Sequence, residues 1–317
     1  MKAAVYNRYG PPEVVGIKTL PDPVPAPGQV LVRVEAATVC APDWRYRRAD
    51  PPLIRIMTGL IRPAKDKVLG FEFAGRVAAL GDGVARFAVG DPVFGSVGVG
   101  MGAHAELLCV EAGTNVQVRP ACLTPAEAAA IPYGGTTALH FLRKAGVTAG
   151  DEVLIYGASG GIGVSMIQLA KHFGARVTAV TSARNQDFAR SLGADRAIDY
   201  ATTDFSAEGA RYAIVADCVG NATFAQCRRA TKRGGAILQV SPTPGAMMSG
   251  VFASGGRRVV AGVATGKPGD LAMLAEIAAQ GAFRPPIEQV FPLGEIVEAH
   301  RLSESGRKVG HVVIAMD

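Results

Sequence analysis

Charge is scarce in this chain. Asp, Glu, Lys and Arg together make up 19% of its 317 residues, against 49% hydrophobic ones. That balance excludes a disordered chain and fits an α/β protein long enough for two domains. Aromatic residues are few, at 6%, with a single Trp, Trp44. No apolar run reaches the length of a membrane span, and the first residues lack a leader pattern. No membrane partner is therefore expected, and the expected location is cytoplasmic. The five cysteines (Cys40, Cys109, Cys122, Cys218 and Cys227) are scattered without a Cys-x-x-Cys pair, which reads as reduced thiols. The net charge of +6 is not gathered into a tail or a stripe, so a nucleic-acid partner is not expected. An anionic cofactor, or nothing specific, explains it better.

Glycine, by contrast, is abundant, and one cluster organises the rest. Val153-Leu-Ile-Tyr-Gly-Ala-Ser-Gly-Gly-Ile-Gly163 is a short apolar run closing in a small-residue turn, and an amphipathic stretch follows to Gly174. This predicts strand, tight loop and helix. Phosphate suits such a place because the first helical N–H groups lack partners and the dipole favours an anion. Gly160 and Gly163 have no Cβ, so pyrophosphate can approach the backbone and the helix can lie close to the strand. Ala175 to Ser182 reads as the next buried strand, which completes a βαβ unit of about 30 residues. The spacing Gly157-x-x-x-Gly161-x-Gly163 also matches short-chain dehydrogenases. That family sets the motif near its N-terminus and needs Tyr-x-x-x-Lys, yet none of the seven tyrosines here has Lys four residues on.

Before this unit the chain is rich in Gly, Pro and β-branched residues. Strands are predicted at Lys2–Tyr6, Gln29–Glu35, Gly70–Leu80, Asp91–Phe94 and Ala103–Val110, as in a compact barrel. Between them lies a basic, partly helical insertion over 43–66. Thr124, Pro125 and Glu127 form a capping box that opens the second domain's alternation of strands and helices. Later strands are expected at Ala213–Val219, Gly235–Val240 and Arg258–Val263, giving a doubly wound parallel sheet. The tail strands Ile287–Phe291 and His311–Ala315 are expected to complete the first domain. The fold class is thus α/β: a barrel domain over 1–122 completed by 284–317, and a nucleotide-binding domain over 123–283.

The order of segments resembles the medium-chain dehydrogenase/reductase superfamily, in particular its zinc-less quinone oxidoreductase-like branch. The resemblance spans essentially the whole chain. It rests on Pro27-Gly28-Gln-Val-Leu-Val-Arg, Gly70-Phe-Glu-Phe-Ala-Gly75, Gly90-Asp91-Pro-Val, Gly150-Asp151-Glu-Val-Leu-Ile, Ala158-x-Gly160-x-x-Gly163 and Leu192-Gly-Ala-Asp-Arg-Ala-Ile-Asp-Tyr200. It implies a GroES-like barrel, a Rossmann domain, a cofactor cleft between them and a homodimer. Zinc members of the superfamily bind a catalytic metal through a Cys, a Gly-His-Glu motif and a third ligand. Here Cys40 stands in the first place, but Phe71 replaces the His and Tyr133 takes the third, so no metal is expected. Cys40, Glu72 and His104 are read instead as a buried thiol, a polar barrel residue and an exposed imidazole.

Without a Lewis acid, NADPH must pass hydride to an acceptor that is already electrophilic, a quinone or the activated C=C of an enone. The mapping gives Tyr46, Tyr133, Cys40 and Asp43 as catalytic candidates and Trp44 as a pocket wall, with Thr136 and Thr137 near the nicotinamide. Cofactor contacts are expected from Thr137, Ala158, Ser159, Gly160, Gly161, Ile162, Gly163, Ser182, Arg184 and Tyr200, and from the strand-ending Val219, Val240 and Val263. Thr181-Ser182-Ala-Arg184 carries no acid, and Arg184 suits a 2′-phosphate, so NADP(H) is expected over NAD(H). A zinc-type alcohol dehydrogenase and a nucleotide-binding protein without turnover remain the alternatives. His140 and His172 are read as structural.

Overall fold

The computed structural model describes residues 1–113, 115–241 and 255–316. The chain divides into two compact units, Met1–Tyr133 with Leu271–Asp317, and Gly134–Asp270. In chain order, β1 (Lys2–Tyr6), β2 (Val15–Thr19) and β3 (Gln29–Thr38) lead to α1 (Ala41–Arg48) and α2 (Ile54–Thr58). There follow β4 (Lys67–Val68), β5 (Glu72–Leu80), β6 (Pro92–Ser96), β7 (Leu107–Glu111), β8 (Val116–Val118) and α3 (Pro125–Ala129). Helix α4 (Pro132–Ala145) leads into β9 (Glu152–Tyr156), α5 (Gly161–His172), β10 (Arg176–Thr181), α6 (Gln186–Ser191) and β11 (Arg196–Asp199). Next come β12 (Tyr212–Asp217), α7 (Phe224–Ala230), β13 (Thr231–Gln239) and β14 (Arg258–Ala261). Helix α8 (Asp270–Ala279), β15 (Ile287–Pro292), α9 (Ile296–Glu304) and β16 (His311–Ala315) close the chain.

The first unit is a GroES-like β structure built around β3. This strand buries Val30, Val32 and Val34 on alternate positions, the period-2 signature of a half-buried strand. It pairs antiparallel with β5, β7 and β16. The pairing of β16 with β3, Val313 opposite Thr38, is what carries the C-terminal strands into the first unit. Val30, Val32, Phe73, Val77 and Val93 fill one core; Tyr6, Leu69, Phe71, Phe291 and Ile314 belong to another. Full burial of each of the larger side chains stabilises the fold by about 1.5–3 kcal/mol.

Several boundaries differ from the sequence expectation. Thr124 and Glu127 do form a capping box, but the helix they open, α3, packs against β3, β5 and β16. It therefore belongs to the first unit, and the divisions fall within α4 and α8 rather than at 122/123 and 283/284. The strand expected from Ala103 begins at Leu107. Before it the backbone is tied elsewhere, His104 N–H to the Leu69 carbonyl and Ala4 N–H to the His104 carbonyl.

The second unit is an all-parallel sheet in the order β11-β10-β9-β12-β13-β14. The chain winds outward from β9 through β10 to β11, then crosses back to β12 and winds the other way. Leu154, Val180, Ile198, Val215 and Ile237 make its interior. Among the described residues no helix is long and apolar enough to cross a membrane.

Candidate active site

The candidate side chains fall into two groups, one in each unit. In the second unit they line the carboxyl ends of the parallel strands, where the reversal of winding between β9 and β12 leaves a crevice for a ligand. The loop after β9 holds Ala158 and Ser159, and Gly160 caps α5, so the N–H groups of Gly161, Ile162 and Gly163 begin the helix. A Cβ on Gly163 would meet the Gly157 carbonyl oxygen at 2.3 Å, so only glycine lets the helix start so close to the loop. A Cβ on Gly160 would have no neighbour nearer than 3.6 Å, and that space is open to a ligand. The Thr181 hydroxyl at the end of β10 donates to Ser159 Oγ at 3.1 Å and joins the two strand ends.

Ser182 follows β10 directly, and Arg184 stands exposed on the single turn Ala183–Asn185. Tyr200, just past β11, is half exposed, with its ring 6.3 Å from that of Tyr156. Val219 follows β12 after a turn in which the Asp217 carboxylate accepts the N–H groups of Val219, Gly220 and Ala222 at 2.8–3.1 Å. That turn ends the strand at Asp217, two residues before the expected Val219. Val240 and Val263 lie just beyond β13 and β14, the first buried and the second 88% exposed. Thr137 is different: it is buried on α4 rather than open at a strand end. His140 is also buried there, its Nδ1 3.0 Å from the Thr265 carbonyl oxygen.

The second group lies in the first unit, where β3 turns into α1. Cys40 is the N-cap of α1 and Asp43 its third residue. The fully buried Asp43 carboxylate accepts the backbone N–H of Cys40 and that of Gly70, both at 2.8 Å, and the Cys40 thiol at 3.1 Å. Asp43 thus braces the turn, and the expectation that it reacts with substrate is revised. Burial, reinforced by the Asp43 and Glu72 charges, holds the Cys40 thiol well above its ordinary pKa, so it is a protonated thiol.

Glu72 opens β5 and is fully buried. It accepts the Thr38 hydroxyl and, at 2.6 Å, the backbone N–H of Tyr133. Burial pushes its carboxyl up to about 7, against the lowering effect of those hydrogen bonds and of Lys308. Lys308 is half-buried, donates to the Gly310 carbonyl oxygen at 2.6 Å, and has its own pKa lowered by burial. Sequence reading missed it, because a lysine in a polar tail gives no sign that β15 and β16 will carry it beside Cys40 and Glu72. His104 is a correction: the expected exposed imidazole is fully buried, its Nε2 2.8 Å from the Thr38 carbonyl oxygen and its ring edge-on to His300 at 5.9 Å. Among the described residues no three His, Cys, Asp or Glu side chains converge as a metal site would require.

Around this group lies an aromatic wall. The Tyr46 ring meets Phe71 edge-on at 5.4 Å, and Tyr46 and Tyr133 both pack against the cluster of Cys40, Leu69, Phe71 and Met101. Tyr133 is half-buried, and burial, with Cys40 next, raises its phenol pKa. Trp44 is half-buried, with the Arg45 guanidinium 5.4 Å over its ring. Tyr46, Tyr133, Cys40 and Asp43 are thus brought together, and the two phenols are the hydrogen-bond donors with exposed surface among them.

Known proteins resemble the chain along its whole length. An alcohol dehydrogenase GroES-like domain matches residues 26–120, and a zinc-binding dehydrogenase model matches 192–314. The chloroplast envelope quinone oxidoreductase homolog of Arabidopsis thaliana is 29% identical over 99% of this chain and 98% of its own. The 2-methylene-furan-3-one reductase of Solanum lycopersicum is 31% identical over 99% of this chain and 79% of its own. Among solved structures, the quinone oxidoreductase from Coxiella burnetii superposes with a TM-score of 0.90 at 30% identity, covering 100% of this chain and 99% of that one. With the GroES-like unit, the doubly wound sheet and the glycine loop at its switch point, these likenesses make the chain a member of the medium-chain dehydrogenase/reductase superfamily, in its zinc-less quinone oxidoreductase-like branch.

Proposed function

We propose that the protein is an NADPH-dependent reductase of quinones or of the activated C=C of enones, working without a metal. One observation carries this reading. The second unit opens α5 on a glycine loop with room beside Gly160, while in the first unit Phe71 and Tyr133, which the family resemblance maps to zinc-ligand places, belong to an aromatic wall with Tyr46. The quinone oxidoreductase and the furanone reductase among its relatives support both acceptor classes.

The space beside Gly160 and the close start of α5 at Gly163 suit pyrophosphate at the helix N-terminus. On this reading Ser182 and Arg184, just past β10, and Tyr200, just past β11, would take the adenosine ribose and its 2′-phosphate. Bound NADPH supplies the hydride. The chain's own part is to orient the acceptor and to neutralise charge developing on its oxygen. Tyr46 and Tyr133 offer phenolic O–H donors for that oxygen. Glu72, near neutral pKa, holds the Tyr133 backbone in place from behind, and Asp43 fixes the turn that carries Trp44 and Tyr46.

NADPH consumption against a panel of quinones, enones and simple alcohols tests the reading, with chelator present and absent. Turnover of quinones or enones, unchanged by chelator, is the expected result. Rapid alcohol oxidation with none of the panel reduced, or activity lost to chelator, overturns it. Within that reaction, Tyr46→Phe or Tyr133→Phe should lower kcat more than it raises KM.

A further inference from the structure

The 43–66 insertion also holds a surface feature apart from the Cys40, Tyr46 and Tyr133 group. Leu53, Ile56, Met57, Leu60 and Ile61 are each between 68% and 89% exposed within nine residues. Monomeric soluble proteins rarely gather so many large apolar side chains into one exposed stretch without a partner. This stretch is held in shape. The Tyr9 hydroxyl lies 2.6 Å from Thr58 Oγ1 and 2.7 Å from the Gly59 carbonyl oxygen, and the Arg55 guanidinium sits 5.1 Å over the Tyr9 ring. Gly59 turns the chain at φ 127°, where a Cβ would strike the Arg62 carbonyl oxygen at 2.1 Å. That turn projects Leu60 and Ile61 outward as a ridge.

Cations border the ridge. Arg48, Arg55, Arg62 and Lys65 are exposed, against Asp50 as the exposed acid of the stretch, while Asp66 is paired with Lys18. Beside the ridge is a cavity of about 640 Å³ lined by Asn7, Thr58, Gly59, Arg62, Pro63, Ala64 and Lys65. It sets two cations and two uncharged polar side chains next to protruding apolar ones. We propose that this surface docks on an anionic phospholipid bilayer, with Leu53, Ile56, Met57 and Ile61 entering the acyl boundary and Arg62 and Lys65 taking headgroup phosphate.

An apolar ridge rimmed by Lys and Arg is the composition that binds such interfaces, through buried apolar area and attraction to anionic lipid together. A second copy of this chain is the poorer occupant. A two-fold contact through the same patch would set its cations against their own equivalents. Sequence hydropathy, which finds no span and gives no membrane partner, does not register five side chains exposed together along α2 and the turn at Gly59. Docking would bring the enzyme to acceptors that dissolve in bilayers. That use rests on the reductase reading, but the docking itself does not.

The test is binding of the protein to vesicles of phosphatidylcholine, with and without phosphatidylglycerol. It is read by flotation and by the emission of Trp44, the single Trp. We expect binding to the anionic vesicles only, reversed by high salt. Leu53→Ser with Ile61→Ser, and separately Arg62→Ala with Lys65→Ala, should each weaken it roughly tenfold or more while NADPH affinity stays as in the wild type. Failure of the wild type to bind anionic vesicles, or variants that bind as it does, overturns the proposal. So does light scattering without lipid, if it shows self-association that the same variants abolish. None of these readouts involves turnover, so a failed docking surface and a failed reductase reading are told apart.

Discussion

The Cys40 thiol lies 3.1 Å from the Asp43 carboxylate, which at the same time receives the backbone N–H groups of Cys40 and Gly70. A thiol that donates to a buried carboxylate is no nucleophile, and a carboxylate so engaged is an anchor. Asp43→Ala should leave two buried N–H groups without partners and α1 without its box, costing about 2–4 kcal/mol in denaturant unfolding. Specific activity of the remaining folded fraction should fall far less than for the tyrosine variants. A D43A protein as stable as the wild type but inactive would restore Asp43 to the reaction.

Glu72 makes stability depend on pH. Burial lifts its carboxyl from 4.5 to about 7, so between those values the folded chain keeps a proton that the unfolded chain releases. The stability linked to that proton is full below pH 4.5 and is lost as pH rises through 7. Glu72→Gln keeps an acceptor for the Tyr133 N–H and carries no charge. It should flatten the slope in this window and stabilise the protein above neutral pH by on the order of 1–3 kcal/mol. Urea unfolding at a series of pH values decides it; an unchanged slope would mean Glu72 stays ionised in the fold.

Among the described residues β14 lies at one edge of the second unit's sheet, and Val259 and Val260 are half-buried there. Edge strands rich in Val invite pairing, and we propose that β14 pairs with the same strand of a second copy. Light scattering at micromolar concentration should give a dimer. Val259→Lys or Val260→Lys should shift it to monomer with circular dichroism unchanged. A monomeric wild type would remove this assembly.

How much of this could be read from sequence follows from how local each signal is. The strand, glycine turn and helix around Gly160 are contiguous, and so is the Thr124–Glu127 box; both stand where the residues placed them. The start of α1 was just as local, with Pro42 and Asp43 in its first turn, but its cap is Cys40, outside the usual Ser, Thr, Asp or Asn. His104 gave no local sign of burial. Its place is fixed by the Thr38 carbonyl and by His300, far along the chain. Lys308 reaches Glu72 only because β16 pairs with β3. The ridge at Leu60 and Ile61 depends on the backbone turn at Gly59, which periodicity does not report.

The choice of nicotinamide turns on the end of β10. Rossmann domains that prefer NAD place an acid there to accept hydrogen bonds from the ribose hydroxyls, and its charge would repel a 2′-phosphate. Here the strand ends at Thr181, Ser182 follows, and the exposed Arg184 lies on the next turn, with Asp187 three residues further on. A guanidinium meets phosphate with a forked, charge-assisted pair of hydrogen bonds, each worth about 1.5–3 kcal/mol. Arg184→Ala should therefore weaken NADPH binding roughly ten- to a hundredfold and leave NADH nearly unchanged. Wild-type protein should bind NADPH the more tightly of the two. Calorimetric titration of both cofactors into both proteins separates the outcomes. Equal weakening of the two would show that Arg184 supports the loop without reading the phosphate, and a wild type that favours NADH would overturn the assignment of NADPH.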